Sequence, residues 1–149
     1  MSEQNLIGVA RDLIEAFNAK DSQRFKQQLA ANVVYDEVGT NRKSQGADAW
    51  LQVWEQWRTA FPDVKGTITN AVASGNTVVQ EITWQGTHGG PLALPSGTVN
   101  ASGKRQTTRT SLVLVFENDR VKESRLYFDM LSLLQQIGAM PQQAGASAS

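Results

Sequence analysis

At residue 64 the spacing of the apolar side chains changes, and that change divides the chain into two kinds of structure. Before it, Leu6, Val9, Ala10, Leu13, Ile14 and Phe17 recur at steps of three and four, as do Trp50, Val53, Trp54, Trp57 and Phe61. Such steps put side chains on one stripe of an α-helix, so residues 3–19 and the segment ending at Phe61 predict amphipathic helices laid on a core. Pro62 stops the second of them. From Val64 onward the period falls to two, the repeat of a strand with one face turned inward. Helices first and a meander of strands afterwards make an α+β domain, with helices packed on one face of an antiparallel sheet.

The shorter elements follow from local signals. Asp21 is placed to cap a short helix carrying Phe25 and Leu29, and residues 33–38 predict a strand ending at Gly39. Val64, Ile68 and Val72 predict a strand that turns at Ser74-Gly75-Asn76 into another, on which Val78, Ile82 and Trp84 share a face. Residues 89–103, with two prolines and four glycines, read as a long loop or an irregular hairpin end. Residues 107–116 and 121–128 form a hairpin about Asn118-Asp119. With those two as turn residues, Phe116 faces Val121, Tyr127 faces Thr110 and Asp129 faces Thr108. Leu112 to Phe116 is apolar on both faces, so both sides need cover. The helices supply one side, and a second copy of the chain is the expected cover for the other. Residues 130–137 predict a last helix ended by Gly138. A domain over 1–139 and a disordered tail over 140–149 complete the expectation.

Composition removes several functions. The chain has 14 basic and 14 acidic residues, 19% charged in all and net zero, so it lacks the basic footprint of a nucleic-acid binder or a polybasic membrane anchor. No apolar run approaches the ~20 residues that cross a bilayer. The polar N-terminus is not a secretion signal, which predicts a cytoplasmic protein. With no cysteine and one histidine, the common zinc sites and a cysteine nucleophile are excluded, and no serine sits in a nucleophile-elbow context. No phosphate loop or dinucleotide fingerprint appears, so no metal or cofactor is expected.

What is left is acid–base chemistry by carboxylates, one histidine and polar groups around an apolar cavity. Asp129 ends a strand whose alternate residues Glu123, Arg125 and Tyr127 share its face. In a hydrophobic pocket its pKa would rise and make it a base near neutral pH. It also stands immediately before a helix, where Asp serves as an N-cap and stays ionised. His88, at a strand end, reads either as a histidine near a surface turn or as a neutral imidazole that polarises a substrate oxygen. Asp36 and Glu37 are adjacent, so they point to opposite faces and do not form a carboxylate pair, though one of them could face the cavity. Arg125 in a pocket would need an anionic partner; a solvated edge suits it otherwise. Trp50 or Trp54 on the tryptophan helix serves the core and can also wall a cavity.

Three stretches carry a resemblance: Ala60-Phe61-Pro62-Asp63; Trp84-Gln85-Gly86-Thr87-His88-Gly89-Gly90-Pro91; and Asn118 to Glu123 running on to Tyr127-Phe128-Asp129 and Leu133-Leu134-Gln135-Gln136-Ile137-Gly138. In that order they resemble the SnoaL-like polyketide cyclases of the nuclear transport factor 2-like superfamily. The resemblance implies a cone-shaped, curved antiparallel sheet (an α+β barrel) wrapped around a deep apolar pocket, and a homodimer through the outer sheet face. It implies a cofactor-free cyclase or isomerase in which Asp129 abstracts a proton alpha to a carbonyl. His88 or Tyr127 would hold the enolate oxygen. Phe17, Trp54 and Trp84 would wall the site, with Arg125 also at the substrate. Arg125 stands where many relatives carry an aromatic residue, which argues against a flat polyaromatic substrate and leaves room for something smaller or acidic; the expected partner is a small apolar or aromatic molecule. The superfamily also contains ester cyclases, epoxide hydrolases, dehydratases and non-catalytic binding domains, so a dimeric ligand-binding or scaffold role is the alternative.

Overall fold

The computed structural model describes residues 2–140, so the tail expected over 140–149 lies almost wholly outside the described residues. Helix α1 (Glu3–Asn18) starts where the Ser2 hydroxyl accepts the Asn5 N–H, and buries Leu6, Ala10, Leu13, Ile14 and Phe17 along one stripe. Asp21 caps α2 (Ser22–Gln27) as expected. Leu29 opens strand β1 (Leu29–Glu37) instead of closing that helix. After a 3₁₀ turn, β2 (Arg42–Gln45) folds back on β1 and leads into α3 (Ala47–Ala60), which carries Trp50, Trp54 and Trp57. Strands β3 (Lys65–Ser74), β4 (Thr77–Thr87), β7 (Arg105–Glu117) and β8 (Arg120–Phe128) form the meander, and α4 (Met130–Gln136) ends it. Between β4 and β7 the glycine- and proline-rich segment holds a small hairpin, β5 (Leu92–Leu94) and β6 (Gly97–Val99).

The main sheet runs β2-β1-β8-β7-β4-β3, antiparallel except for β1 beside β8. It curves around the three N-terminal helices. On β7 the inward residues are Gln106, Thr108, Thr110, Leu112, Leu114 and Phe116, all buried. That face is polar toward one end and apolar toward the other. Against it stands an aromatic layer: Tyr35 stacks on Trp50 at 4.8 Å between centroids, Phe25 meets Trp54 at 4.4 Å, and Phe17 bridges Trp54 and Trp84 at 5.0 and 4.9 Å. Burial of each such ring is worth about 2–3 kcal/mol, more than propensity contributes to any one of these helices.

Two β-bulges reset the expected registers. The Asn118-Asp119 turn forms with both residues at positive φ, and Phe116 faces Val121 as predicted. The register then slips: Val115 pairs with Glu123, leaving Lys122 as the extra residue, so Tyr127 faces Ser111 and Phe128 faces Thr110. A one-residue slip exchanges the two faces of a strand. Ser124, Leu126 and Phe128 therefore point inward, while Glu123, Arg125 and Tyr127 lie outside. A second slip, between Ile68 and Asn70, turns Val72 outward to 54% exposure, away from the face it was expected to share with Ile68.

Candidate functional site

Between the aromatic layer and the concave sheet lies a cavity of about 120 Å³. Phe17, Trp54 and Trp84 line it, as expected, together with Tyr35, Trp57 and Phe128. Its polar rim comes from Gln106, Thr108 and Thr110 on β7. Among the described residues, no aspartate, glutamate, lysine, arginine or histidine is on the wall. A cavity of roughly 150 Å³ lined by apolar side chains holds one benzene ring, so this one suits a molecule of about that size. The Trp84 indole lies over Gly66, opposite it on β3, which has room for it only because glycine has no side chain; a Cβ there would come within 2.6 Å of the ring.

Asp129 is not in this cavity. It is exposed, its carboxylate accepts the Ser132 N–H at 3.2 Å, and it caps α4. With Tyr127, which is 43% exposed, it borders a polar groove of about 470 Å³, lined also by Glu81, Arg109 and Ser132. Arg125 is also outside, 3.6 Å from Glu123. The bulge at Lys122 is the physical reason: it turned this set of residues away from the cavity. Asp129 was expected in an apolar pocket and is instead exposed, and neither it nor Tyr127 nor Arg125 lines the aromatic cavity.

His88 is fully buried but stands outside the cavity wall, packed on Phe61 at 5.3 Å. Its Nδ1 accepts the Ser102 backbone N–H at 3.2 Å, and its own backbone exchanges hydrogen bonds with Gly103 and Lys104. The residue clasps both ends of the segment from 89 to 103. Burial pushes its pKa below the usual value, and the accepting Nδ1 leaves the proton of the neutral ring on Nε2. The imidazole expected to polarise substrate is thus not on the wall of this cavity, and the buried ring is neither solvent-exposed nor at a surface turn.

The feature that strand alternation did not reveal is Glu37. It is fully buried, and its two oxygens accept five hydrogen bonds. Oε1 takes Thr40 Oγ1 at 2.6 Å and Arg42 Nε and Nη2 at 3.1 and 2.7 Å; Oε2 takes the Tyr35 hydroxyl at 2.7 Å and Trp57 Nε1 at 2.8 Å. Tyr35 and Glu37 are two apart on β1 and so share a face, while Arg42 is Glu37's cross-strand partner on β2. Burial and the Glu37 charge push the Tyr35 phenol well above its usual pKa, so it stays a donor to the carboxylate. Two aromatic walls of the cavity are thereby tied to one buried anion. The available sequence signal was Arg42, a cation five residues on, across a turn that was read only as the end of a strand.

With this geometry in view, the comparisons with known proteins place the chain. The family model for SnoaL-like polyketide cyclases matches residues 7–137, and the chain belongs to that family. Among solved structures, a candidate SnoaL-like polyketide cyclase from Jannaschia sp. CCS1 superposes with a TM-score of 0.82 at 18% identity, over 93% of this chain and 95% of the other. IdmH, a candidate polyketide cyclase from Streptomyces antibioticus, gives 0.75 at 23% identity over 89% and 98%. A protein of ketosteroid isomerase-like fold from Catenulispora acidiphila gives 0.74 at 17% over 89% and 93%. At these identities the likeness speaks for the fold. No protein of curated function matches. Among the described residues, no helix is long and apolar enough to cross a membrane.

Proposed function

We propose that this protein takes a small, neutral carbonyl compound into the aromatic cavity and acts on it as a cofactor-free cyclase or isomerase. The observation that carries the reading is the uncharged wall: a charged ligand there would lose its hydration with no counter-charge to replace it, which costs several kcal/mol. Family membership supports proton chemistry at a carbonyl. The wall group suited to that chemistry is Tyr35, bonded to Glu37. A substrate Cα–H bond breaks and its proton passes to the Tyr35 oxygen. Tyr35's own proton moves along the existing 2.7 Å bond to Glu37 Oε2, and the electron pair becomes the enolate. Return of the proton at another carbon completes an isomerisation, and attack of the enolate carbon on a second carbonyl completes an aldol closure.

Tyr35→Phe keeps the stack on Trp50 and removes the proton path. On a panel of ring-sized ketones and diketones it should abolish turnover while ligands still bind, and Asp129→Asn should turn over at the wild-type rate. Undiminished turnover in Tyr35→Phe refutes the assignment. A second reading, binding without turnover, is favoured by the absence of any carboxylate or imidazole from the wall; it predicts saturable binding and no product from any member of the panel. For the outer sheet face, where Val79, Val113 and Val115 are half-buried, we propose a second copy of the chain as the cover. Light scattering that shows a monomer at micromolar concentration would refute that.

A further inference from the structure

One end of the cavity wall carries a donor that the fold leaves free, the side-chain nitrogen of Gln106 on β7. Gln106 stands with Thr108 and Thr110 on the inner face of that strand and is 4% exposed. Its amide oxygen accepts the Thr108 hydroxyl at 2.5 Å, and its nitrogen has no partner among the described residues. The Trp54 indole nitrogen is unpartnered too, but it is closed to a molecule as small as water. The Gln106 nitrogen is not closed in that way, and the hollow its side chain borders is this cavity. Most other polar groups on the wall are engaged. Trp57 Nε1 and the Tyr35 hydroxyl donate to Glu37, Trp84 Nε1 donates to Thr110 Oγ1, and Thr110 donates to the Ile82 carbonyl. Trp50 Nε1 has no partner either, but its ring belongs to the aromatic layer, with Tyr35 at 4.8 Å and Phe25 at 5.1 Å.

The orientation of the Gln106 amide follows from its one bond. A separation of 2.5 Å falls within the range of O–H···O bonds, about 2.5–3.0 Å, and is short for N–H···O, about 2.7–3.2 Å. The oxygen therefore faces Thr108, and the NH₂ is the end left over. The neighbours explain why the fold does not use it. Gly86, opposite Gln106 on β4, has no side chain, and Phe61 and Val64 pack over that place. Asp63 is beside Gly86 as well, but its carboxylate is turned to the Thr87 N–H and hydroxyl. A buried donor without a partner is costly, and natural folds hold few of them. A leucine at position 106 would have continued Leu112 and Leu114 along the same face without that cost.

We infer that the Gln106 NH₂ is the group that recognises the ligand: it donates to an acceptor oxygen, such as that of a ketone, aldehyde or ester, on a neutral molecule of about one ring. The oxygen is thereby held at the polar end of the cavity, and the carbon skeleton lies toward the aromatic layer. This rests on the cavity being the binding site, as proposed above, and adds which atom reads the ligand's functional group and which way the ligand lies. An acceptor oxygen that enters the cavity gives up its bond to water, and the amide returns it. A hydrocarbon of the same shape gains nothing there.

Cyclohexanone and methylenecyclohexane test this, because they differ mainly in C=O against C=CH₂. Titration of the full-length protein with each, in the wild type and in Gln106→Met, forms a closed cycle. Methionine keeps the length of the side chain and removes the donor. The expected result is that Gln106→Met weakens cyclohexanone about fivefold, the size of one net hydrogen bond, and leaves methylenecyclohexane within about twofold. Trp50→Phe removes the other free donor and should leave the ratio of the two affinities as in the wild type. A readout on the unmutated protein keeps the test valid if Gln106→Met misfolds. The Gln106 side-chain amide resonances, assigned in the wild type through their bonded connection to the backbone, should move downfield with cyclohexanone and much less with methylenecyclohexane.

Equal weakening of both ligands in Gln106→Met, or Gln106 amide resonances that cyclohexanone leaves in place, overturns the recognition role while the cavity remains a binding site. Selective loss of cyclohexanone in Trp50→Phe overturns it as well and moves the oxygen to the indole. If neither ligand saturates the wild type, the binding reading itself falls and takes this inference with it.

Discussion

Replacing Glu37 by Gln keeps the side chain's shape and removes its charge, and the cost can be worked from its five donors. A glutamine offers one acceptor oxygen and one NH₂ where the carboxylate offers two acceptors. If the oxygen faces Thr40 and Arg42, the NH₂ meets Trp57 Nε1, a donor that cannot reverse; if the amide flips, the NH₂ meets Arg42. Either orientation sets donor against donor. Arg42 also loses its charge partner with its side chain only 16% exposed. Breaking a buried pair from one side costs about 3–5 kcal/mol. Partial hydration of Arg42 brings the expectation down to roughly 2–4 kcal/mol, or about 6–13 °C in Tm for a chain of this length. Urea unfolding followed by tryptophan fluorescence measures it. The double variant Glu37→Gln/Arg42→Gln removes the stranded charge, so it should be less destabilised than the sum of the singles by about 1–2 kcal/mol. A loss below about 0.5 kcal/mol in Glu37→Gln, or strict additivity in the double variant, would show that the carboxylate does not organise this wall.

Three further outcomes are expected. Asp129→Ala should cost about 1 kcal/mol by loss of the α4 cap, Asp129→Asn should cost almost nothing, and neither should change ligand affinity; a weakened affinity in both would return Asp129 to the site. His88 takes a proton near pH 6.5 when unfolded and only at lower pH when folded, so the unfolded state binds more protons below that point. Stability should be full above about pH 6.5 and decline from there toward pH 5, and the urea midpoint of His88→Gln should decline less over the same window; equal declines refute the clasp. Gly66→Ala would drive a Cβ into the Trp84 ring, so it should lower stability by about 1–3 kcal/mol and weaken cyclohexanone binding, and an unchanged Tm would show that Trp84 yields freely.

The parts of the fold that could be read in advance are those written in local spacing. The α1 stripe, the tryptophan helix stopped at Pro62, the Asp21 cap and the Asn118-Asp119 turn each depend on residues within one or two turns of chain. Three aromatic walls of the cavity were legible for the same reason, since Phe17, Trp54 and Trp84 sit on the buried faces of elements already identified. The Glu37 cluster was not, because it joins β1, β2 and α3 through contacts 2, 3, 5 and 20 residues apart, and β2 is four residues without a period of its own. His88 was placed at its strand end, but its partner Ser102 is 14 residues away across a segment whose hairpin has strands of only three residues.

The one error that redirected the chemistry, the face of β8, was decidable on energy. A regular ladder from Phe116–Val121 would send Glu123, Arg125 and Tyr127 inward against Leu114, Leu112 and Thr110, with Ser124, Leu126 and Phe128 outside. Burial of a glutamate and an arginine there costs several kcal/mol per charge, and the Leu126 and Phe128 side chains would forfeit about 2–3 kcal/mol each. A bulge gives up about one ladder hydrogen bond, near 1 kcal/mol, and avoids all of that. The chain takes the bulge at Lys122, whose ammonium pairs with Glu117 at 3.2 Å on the exposed side of the hairpin. The same slip that delivers Phe128 to the cavity carries Asp129 to the helix cap outside it. A single inserted residue thus separates Asp129 from the cavity, and Tyr35, bonded to the buried Glu37, stands on the cavity wall in its place.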